Sequence, residues 1–519
     1  MNWIIFFFAI QVLHFASTWK LYQKAGRQAW EAAIPVYNAV VLMSIIKRPK
    51  WWVLVLFIPV INLLVFPVIW VEIARSFRKF EPKDTWLAIL SLGFYNFYLN
   101  YAVIDELKYN EKRSIKPPSK TGEWVSSITF AVAAATLVHT YVMQPFTIPT
   151  SSLEKSLLIG DFLFVSKFHY GARTPITPIA APMVHDSLPK TGLKSYLSGI
   201  ELPYFRLPGF QKVKRNEIVV FNWPSDTLAL MWGDKSGKFT YKPIDKKTNY
   251  VKRCVGIPGD SLEIKNGYIY INGERTVLPD RAKPQFNYYV DTNRAFTADE
   301  IIYDYNVNPS EASVLNRERT KYFINLDKEH ALKMQKDPKV TSIKRNIDPK
   351  GNYDPSIFPH NAQYAWSQDN FGPLYIPAKG DVVTLDETTL PFYKRIISEY
   401  EHNDFEQKEN GDIYVNGVKT TTYTIQQDYF WMMGDNRQRS LDARYWGYTP
   451  EDHIVGKPVF IWMSLDQNAK VINKKIRWER LFTTVHGTGK AKSYFIHFLI
   501  LLGLYYGVKE ILKRRKAKQ

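Results

Sequence analysis

Long apolar runs alternate with polar stretches along this chain, and they predict helices that cross a membrane. A spanning helix needs about 20 consecutive apolar residues. Four runs reach that length with few or no charges: 51–71, 86–104, 125–146 and 494–512. Two shorter runs, 3–17 and 32–46, are ambiguous by length, and we interpret the first as a retained segment rather than a cleaved signal peptide. The pattern predicts an integral membrane protein.

Basic residues beside these runs predict which side of the membrane the long polar segment occupies. Lysines and arginines crowd residues 108–120, before the third run, and another basic cluster follows the fourth run. Positively charged loops stay in the cytoplasm. We therefore expect residues 125–146 to be a membrane anchor, 147–490 to be extracytoplasmic, and 494–512 to cross back.

The first part of the chain is less clearly oriented. We expect a multi-span membrane region in residues 1–110 and a basic cytoplasmic linker in 111–124. Because both flanks of the 51–71 run are basic, the charge rule assigns no direction to that run. The stretch AAIPVYN at 32–38 resembles a small uncharacterised membrane domain, which implies no activity, and we favour a role in anchorage.

The polar segment has the pattern of a β protein. Short β-branched runs bounded by Gly, Pro or Asn predict strands at 217–221, 261–271 and 381–385. IKNGYIYINGE at 264–274 recurs as KENGDIYVNGV at 408–418, and each Asn-Gly predicts a hairpin turn. Between these repeats, residues of about 279–370 form a long insert with helical pieces. The predicted fold is a mostly β extracytoplasmic domain with an inserted α/β subdomain, flanked by transmembrane helices on its N-terminal side and one at the C-terminus.

Composition narrows the possible functions of this 519-residue chain. Lysine plus arginine number 68 against 49 aspartates and glutamates, a net charge of +19. Much of the excess flanks membrane runs, and no basic stripe interleaved with aromatics marks a nucleic-acid surface. The single cysteine, Cys254, excludes an internal disulfide and any multi-cysteine zinc site. No histidine pattern indicates a metal site, so we expect no metal, no cofactor and no nucleic-acid partner.

Three polar clusters are candidates for chemistry. Thr150, Ser151 and Ser152 follow the predicted anchor, although three hydroxyls in a loop are more often caps or turns. Lys252 lies in an apolar strand pattern, where a lysine is usually a solvated edge residue. The third cluster is a turn-rich run at 431–447.

Together the clusters resemble the characteristic boxes of bacterial type I signal peptidases (leader peptidases), which are membrane-bound Ser/Lys endopeptidases. The resemblance covers about 125–480, interrupted by the insert, and its boxes stand in the family order. They are IPTSSLEKSLLIGDFLFVSKF at 148–168, EIVVFNWP at 217–224, YVKRCVGIPGD at 250–260, MGDNRQRSLDARYWG at 433–447 and HIVGKPVFIWMSLD at 453–466.

The resemblance implies a role for each matching residue. Ser152 matches the nucleophile and Lys252 the general base. Ser440 matches the serine that orients that lysine, and the Thr150 hydroxyl matches an oxyanion-hole donor beside the Ser152 N–H. A supporting polar pair is matched by Asp442 and Arg444. Leu153 replaces the methionine of the best-known members, and Glu154-Lys155 a more apolar pair, which puts details of the substrate pocket in doubt.

Elementary chemistry agrees with a Ser/Lys pair. A serine hydroxyl needs a base to become a useful nucleophile, and a free lysine, with a pKa of about 10.4, is protonated at neutral pH. Burial disfavours the ammonium and lowers that pKa, and we expect no acidic side chain beside Lys252, since a carboxylate would restore its charge. A Ser-His-Asp triad is not excluded by spacing, because triads assemble from distant residues.

The predicted function is cleavage of signal peptides from translocated preproteins by an enzyme of the cytoplasmic (inner) membrane, with its catalytic domain on the periplasmic side. The expected partners are preprotein signal peptides and the lipid bilayer, with the protein secretion machinery as a further candidate. Two alternatives remain: a catalytically silent, membrane-tethered preprotein-binding protein, and a processing protease with a narrow substrate set.

Overall fold

A computed structural model describes residues 3–117, 119–228, 239–469 and 475–518. The chain folds into two compact units, one of Met1–Tyr141 with Thr174–Tyr204 and one of Val142–Arg173 with Phe205–Gln519. The first unit is helical. Its helices are α1 Trp3–Lys24, α2 Tyr37–Ile45, α3 Trp52–Val55, α4 Ile61–Ser76, α5 Pro82–Leu90, α6 Tyr95–Phe97 and α7 Lys120–Leu137.

Two of the runs predicted to span the membrane are not continuous helices, because each is broken into short helices. The 51–71 run is interrupted between α3 and α4, where Pro59 lacks an N–H and Val60 has a φ of 70°. The 86–104 run is interrupted after α5, where Leu92 and Gly93 have φ values of 51° and 87°. Residues in this left-handed region end a right-handed helix.

Three helices in the described part of the chain are long and apolar enough to cross a membrane: Ile4–Lys24, Lys120–Val142 and Phe495–Arg515. The ambiguous first run thus belongs to a helix of spanning length. The predicted apolar helix near the C-terminus is confirmed as α11, Phe495–Lys518. The anchor predicted at 125–146 begins earlier and ends at Val142, because strand pairing starts at Met143.

The second unit is mostly β, as predicted. Its strands are β1 Met143–Thr147, β2 Asp161–Ser166, β3 Ile218–Asn222, β4 Asn249–Gly256, β5 Ser261–Lys265, β6 Tyr268–Ile271, β7 Glu274–Arg275, β8 Gln285–Thr292, β9 Ala312–Val314, β10 Lys321–Asp327, β11 Val340–Arg345, β12 Phe371–Tyr375, β13 Val382–Thr384, β14 Phe405–Gln407, β15 Ile413–Val415, β16 Val418–Lys419, β17 Thr422–Thr424, β18 Tyr429–Met433, β19 Thr449–Pro450, β20 Ile454–Ser464 and β21 Thr483–Thr484. Its other α-helices are α8 Lys328–Gln335, α9 Leu390–Arg395 and α10 Ala443–Trp446.

An eight-stranded sheet forms the centre of this unit. Its order is β1-β2-β20-β3-β4-β18-β19, with β21 also paired to β20. Strands β3 and β18 are buried along their whole length, as continuous apolar runs in a sheet covered on both faces should be. The sheet therefore joins strands from both ends of the unit, and its side chains pack into two separate hydrophobic clusters.

Three of the four predicted Asn-Gly turns are confirmed as two-residue turns, whereas at Asn410-Gly411 five residues connect β14 and β15 and only Gly411 has a positive φ. β5 and β6 join at Asn266-Gly267, β6 and β7 at Asn272-Gly273, and β15 and β16 at Asn416-Gly417. All six residues have positive φ, as the two central residues of such tight turns require. The two repeats thus form two similar small sheets, one of which is completed by β12 and the other by β14.

Residues 285–345 form a separate four-stranded sheet, in the order β11-β8-β10-β9. Helix α8 follows β10, and its Ala331 and Met334 join a hydrophobic cluster with Val290, Tyr322 and Ile324 that is distinct from the main core. This sheet lies within the region predicted as an insert. Thr297 and Glu300 form a capping box through two reciprocal hydrogen bonds.

Candidate active site

Ser152 lies in a single 3-10 turn, Ser151–Leu153, between β1 and β2. Thr150 precedes the turn in an extended conformation and is exposed, whereas Ser152 itself is only 8% exposed. The turn is held from the other end of the sequence, because the Asn436 N–H donates a 3.1 Å hydrogen bond to the Ser152 carbonyl. The predicted nucleophile is therefore almost buried, at a fixed position.

Lys252 lies in β4, between β3 and β18, where Val219 is its register partner on β3. It is 5% exposed, so the strand-edge interpretation weighed above does not apply. Its Nζ lies 5.3 Å from the centre of the Tyr250 ring, two residues away on the same face, as the alternation of a strand requires.

The structure brings these two residues into direct contact across a hundred residues of sequence. Lys252 Nζ donates a 2.6 Å hydrogen bond to Ser152 Oγ. The partner of this hydroxyl is thus an amine rather than an imidazole. Burial lowers the pKa of Lys252 to about 8. The negative charge of Asp442 raises this pKa and the positive charge of Arg444 lowers it, so the two charges oppose each other. A substantial neutral fraction of this amine exists near pH 8.

The carboxylate of Asp442 does not act on the lysine unopposed, because Arg444 neutralises it. Arg444 donates from Nε and Nη2 to the two Asp442 oxygens, both at 2.8 Å. Asp442 is fully buried and Arg444 is 1% exposed. Burial alone would raise the pKa of the Asp442 carboxyl, but the charge and hydrogen bonds of Arg444 hold it below its usual value. The predicted supporting pair is thus found close to the lysine.

A second buried pair escaped the sequence analysis. Arg253 donates to both oxygens of Asp435, at 2.8 and 2.5 Å, and both side chains are at most 3% exposed. Asp435 also accepts from Ser156, close behind the nucleophile. Removing one partner of a buried pair typically costs about 3–5 kcal/mol, so this pair fixes the loop at 434–436 against β4. The sequence did offer a signal: Arg253 lies in an apolar strand pattern, and a buried charge needs a partner, which predicts a buried acidic side chain nearby.

Gly434 allows the closest approach in the site. A Cβ atom at this position would lie 2.2 Å from Ser440 Oγ and 2.5 Å from the Ser152 carbonyl oxygen. Both distances are far inside van der Waals contact, so any side chain here would push the nucleophile's turn away. Glycine is therefore required by this packing.

The predicted hydrogen bond from Ser440 to Lys252 is not formed. Ser440 is 5% exposed, and its hydroxyl has no hydrogen-bond partner among the residues that the structure describes. The hydroxyl packs against Gly434 instead. Ser440 thus lies in the site, as predicted, without the contact through which it was expected to orient the lysine.

Glu311 reaches the Ser151–Leu153 turn from the sheet of residues 285–345, and the sequence analysis missed it. Asn436 Nδ2 donates to Glu311 Oε1 at 2.6 Å and to the Ser151 carbonyl at 3.2 Å. Glu311 is 2% exposed. Gln285, at the start of β8, adds a 2.6 Å hydrogen bond from Nε2 to the Glu154 carbonyl. This sheet therefore buttresses both ends of the turn.

Replacing Glu311 by alanine is expected to lower kcat about tenfold to a hundredfold, since a displacement of about 1 Å in a reacting group can cost a hundredfold. The buried Asn436 amide would lose its acceptor, and the Ser151–Leu153 turn would lose a support. Glu311→Gln keeps an acceptor oxygen and should recover most of the rate. Steady-state cleavage of a preprotein separates kcat from KM; equal rates for Glu311→Ala and the unmodified chain would contradict the role.

Among the described residues, no group of three or more His, Cys, Asp or Glu side chains could hold a metal ion. Cys254, beside the site on β4, is fully buried in the main core.

Comparison with known proteins gives two family matches. A family profile described as "Signal peptidase, peptidase S26" matches residues 121–323 and 372–463. The unmatched interval, 324–371, coincides with the second half of the predicted insert of about 279–370, whose first part, 279–323, is matched by the profile. A profile described as a family of unknown function (DUF5684) matches residues 30–112, the region that the sequence analysis set apart.

Individual relatives agree with the first match. Signal peptidase I of Buchnera aphidicola subsp. Acyrthosiphon pisum is 25% identical over 398 residues, which are 76% of this chain and 93% of that protein. Signal peptidase I of Haemophilus influenzae is 25% identical over 73% of this chain and 80% of its own length. Signal peptidase I of Helicobacter pylori strain 26695 is 26% identical over 71% of this chain and 92% of its own length.

Proposed function

The chain belongs to the peptidase S26 family of signal peptidases, and from this premise we propose that it cleaves N-terminal signal peptides from translocated preproteins, with Ser152 as nucleophile and Lys252 as general base. The observation that carries the assignment of roles is the 2.6 Å contact between Lys252 Nζ and Ser152 Oγ inside the matched region. The low exposure of both side chains supports this assignment, because burial lowers the pKa of a lysine and so favours its neutral form.

The reaction follows from this geometry. The neutral Lys252 amine takes the Ser152 proton as Oγ forms a bond to the scissile carbonyl carbon. The Ser152 N–H and the Thr150 hydroxyl donate to the developing oxyanion, typically worth about 3 kcal/mol per donor. Lys252 then gives its proton to the leaving amine. A water molecule, deprotonated by the same lysine, hydrolyses the acyl-enzyme and releases Ser152.

The membrane arrangement suits such a substrate. A signal peptide keeps its apolar core in the bilayer and its cleavage site just outside, and Ser152 follows closely on the candidate span Lys120–Val142. We assign the protein to the cytoplasmic membrane as a multi-pass protein, with residues 147–490 extracytoplasmic and the sheet of residues 285–345 as an inserted subdomain. Its partners in this assignment are preprotein signal peptides, the bilayer and, as a candidate, the secretion machinery.

The test is cleavage of three unrelated purified preproteins by the full detergent-solubilised chain, with N-terminal sequencing of the products. Cleavage of all three at the signal-peptide junction is the expected result. Cleavage of one alone would favour a narrow-specificity processing protease. No cleavage, together with no adduct at Ser152 from a serine-directed acylating inhibitor by mass spectrometry, would favour a silent preprotein-binding protein.

Activity should rise with pH. Burial lowers the pKa of Lys252 to about 8, and the amine acts as a base only when neutral. In the free enzyme kcat/KM is therefore expected to increase through about pH 8 and to level off above it. A profile of kcat/KM that stays flat between about pH 6 and 10 would contradict a lysine base.

A control separates this titration from a neighbouring one. Burial first, and then the charge of Glu311, raises the pKa of the Glu154 carboxyl to about 7. Glu154→Gln removes that group and leaves Lys252 in place. The rise through about pH 8 should persist in this variant; its disappearance would assign the profile to Glu154 instead.

A further inference from the structure

The two broken runs in the helical unit begin and end at the same place. Arg48, before the first run, donates a 2.9 Å hydrogen bond to Glu72, near its end. Arg113, after the second run, forms an ion pair with the same Glu72 and donates to the Ile46 carbonyl at 2.8 Å. We name the residues between these contacts the first hairpin (51–71) and the second hairpin (77–109).

The second hairpin closes in the same way. The Asn110 N–H donates a 2.9 Å hydrogen bond to the Ser76 carbonyl, so the chain leaves and returns at one point. The Tyr109 hydroxyl donates to the Ile45 carbonyl at 2.9 Å, which ties this base to that of the first hairpin. A segment whose two ends are in contact cannot have them on opposite sides of a hydrocarbon core about 30 Å thick.

The tips of the hairpins are apolar and exposed, whereas charged residues cluster at their bases. The exposed apolar side chains toward the tips are Leu54 and Phe57 in the first hairpin and Trp86, Leu90, Leu92 and Phe94 in the second. The backbone at both tips is satisfied locally: the Asn62 N–H bonds to the Ile58 carbonyl and the Gly93 N–H to the Ala88 carbonyl. A segment can lie in the hydrocarbon core when its side chains are apolar and its backbone N–H and C=O groups are hydrogen-bonded within the protein.

One contact sets the depth of the first hairpin. The hydroxyl of Tyr141, next to the last residue of the candidate span Lys120–Val142, donates a 3.0 Å hydrogen bond to the carbonyl of Pro59 at the hairpin tip. The tip therefore lies beside the far end of a helix long enough to cross the membrane. Helix α4, the returning arm, has 16 residues, or about 24 Å, which covers most of that depth.

The charge pattern fits this path and removes the ambiguity left by the sequence. Basic residues stand before the first hairpin, between the two hairpins and after the second one: Lys47, Arg48, Lys50, Arg75, Arg78, Lys79, Lys108, Lys112 and Arg113. Basic loops stay in the cytoplasm. Two spans would put the middle cluster outside, whereas two hairpins keep all three clusters on one side.

We propose that residues 25–119 form a membrane-embedded cytoplasmic-side domain, in which both hairpins enter the bilayer from the cytoplasm and return to it, with their apolar tips against lipid. Among the described residues that precede the catalytic unit, helix α1 and the span Lys120–Val142 then cross the membrane. The N-terminus lies outside, and the C-terminal end of α1 is cytoplasmic. Asn100 of the second hairpin accepts from the Lys20 and Leu21 N–H groups at 3.0 and 3.2 Å, which places that end of α1 beside the hairpins.

The test uses single exposed cysteines in the full chain, labelled with a membrane-impermeant maleimide in right-side-out and inside-out vesicles. The parent chain serves as the blank, because its one cysteine is buried. Lys50→Cys, Arg78→Cys and Lys112→Cys, one at each basic cluster, should all be labelled from the cytoplasmic face. Glu409→Cys, in the second unit, should be labelled from the opposite face of the membrane.

The position of Arg78→Cys decides the path of the chain. Labelling of Arg78→Cys from the face opposite to Lys50→Cys would show that residues 51–71 cross the membrane and would overturn the proposal. Phe57→Cys and Leu90→Cys, at the two tips, should resist the reagent from both faces until detergent is added. Rapid labelling of either tip in intact vesicles would overturn its contact with lipid.

Discussion

Ser152→Ala is expected to lower kcat by about four to six orders of magnitude, the usual cost of removing a catalytic nucleophile. The substitution removes the one oxygen that Lys252 Nζ contacts at 2.6 Å and leaves the turn, the oxyanion donors and the surrounding ion pairs in place. Binding of a preprotein should therefore persist. Single-turnover cleavage and a pull-down of uncleaved preprotein measure the two effects separately.

Ser356→Ala is the matched control, since it removes a serine hydroxyl from an exposed loop. It should cleave at the unmodified rate. Thermal unfolding shows whether the Ser152 variant is folded. A folded Ser152→Ala protein that retains more than a tenth of the activity would contradict the assignment of the nucleophile.

Lys252→Met is expected to lower kcat about ten-thousandfold, at the upper end of what a general base contributes. Methionine is unbranched like lysine and fills an apolar site, but it cannot accept a proton. Because burial penalises the charged amine and lowers its pKa, the variant should be at least as stable as the unmodified chain at neutral pH. Loss of activity without loss of thermal stability would distinguish a chemical role from a structural one.

Two further variants make this result specific. Lys252→Arg places a guanidinium here, which stays protonated and cannot act as a base. This variant should be as inactive as the methionine variant. Substantial activity would show that only the positive charge is needed. Lys265→Met, on the exposed end of β5, is the matched control and should be fully active.

Much of the catalytic unit could be predicted from local pattern. The Asn-Gly turns need positive φ at both central residues, so their hairpins follow from two letters of sequence. The sequence boxes around Ser152 and Lys252 identified the family because several specific motifs occur together and in the family order. Contacts between distant segments were not predictable in this way: nothing near residue 311 in the sequence indicates that Glu311 meets Asn436 beside the nucleophile.

The errors in the helical unit have a different cause. Hydropathy counts apolar residues but does not register where the backbone turns, so 51–71 and 86–104 were taken as continuous spans. Single residues with positive φ, such as Val60 and Leu92, depend on tertiary packing and leave no periodic signal. Pro59 and Pro67 both indicated a possible break, and the helix is interrupted at Pro59, whereas Pro67 lies inside α4. The Ser440–Lys252 hydrogen bond was also predicted incorrectly. The sequence motif placed Ser440 in the site correctly, but it does not determine the direction in which the hydroxyl points.

The strand order of the central sheet also has a consequence for the timing of activity. Ser152 follows β1, and Lys252 lies on β4, but β20 separates β2 from β3. Strand β20 is formed by Ile454–Ser464, almost the last part of the unit to be synthesised. A nascent chain that ends before Ile454 carries both reactive residues and lacks the strand that joins their two halves of the sheet. We therefore expect the contact between Ser152 and Lys252 to assemble only after β20 has been synthesised, so that a shorter nascent chain should be inactive.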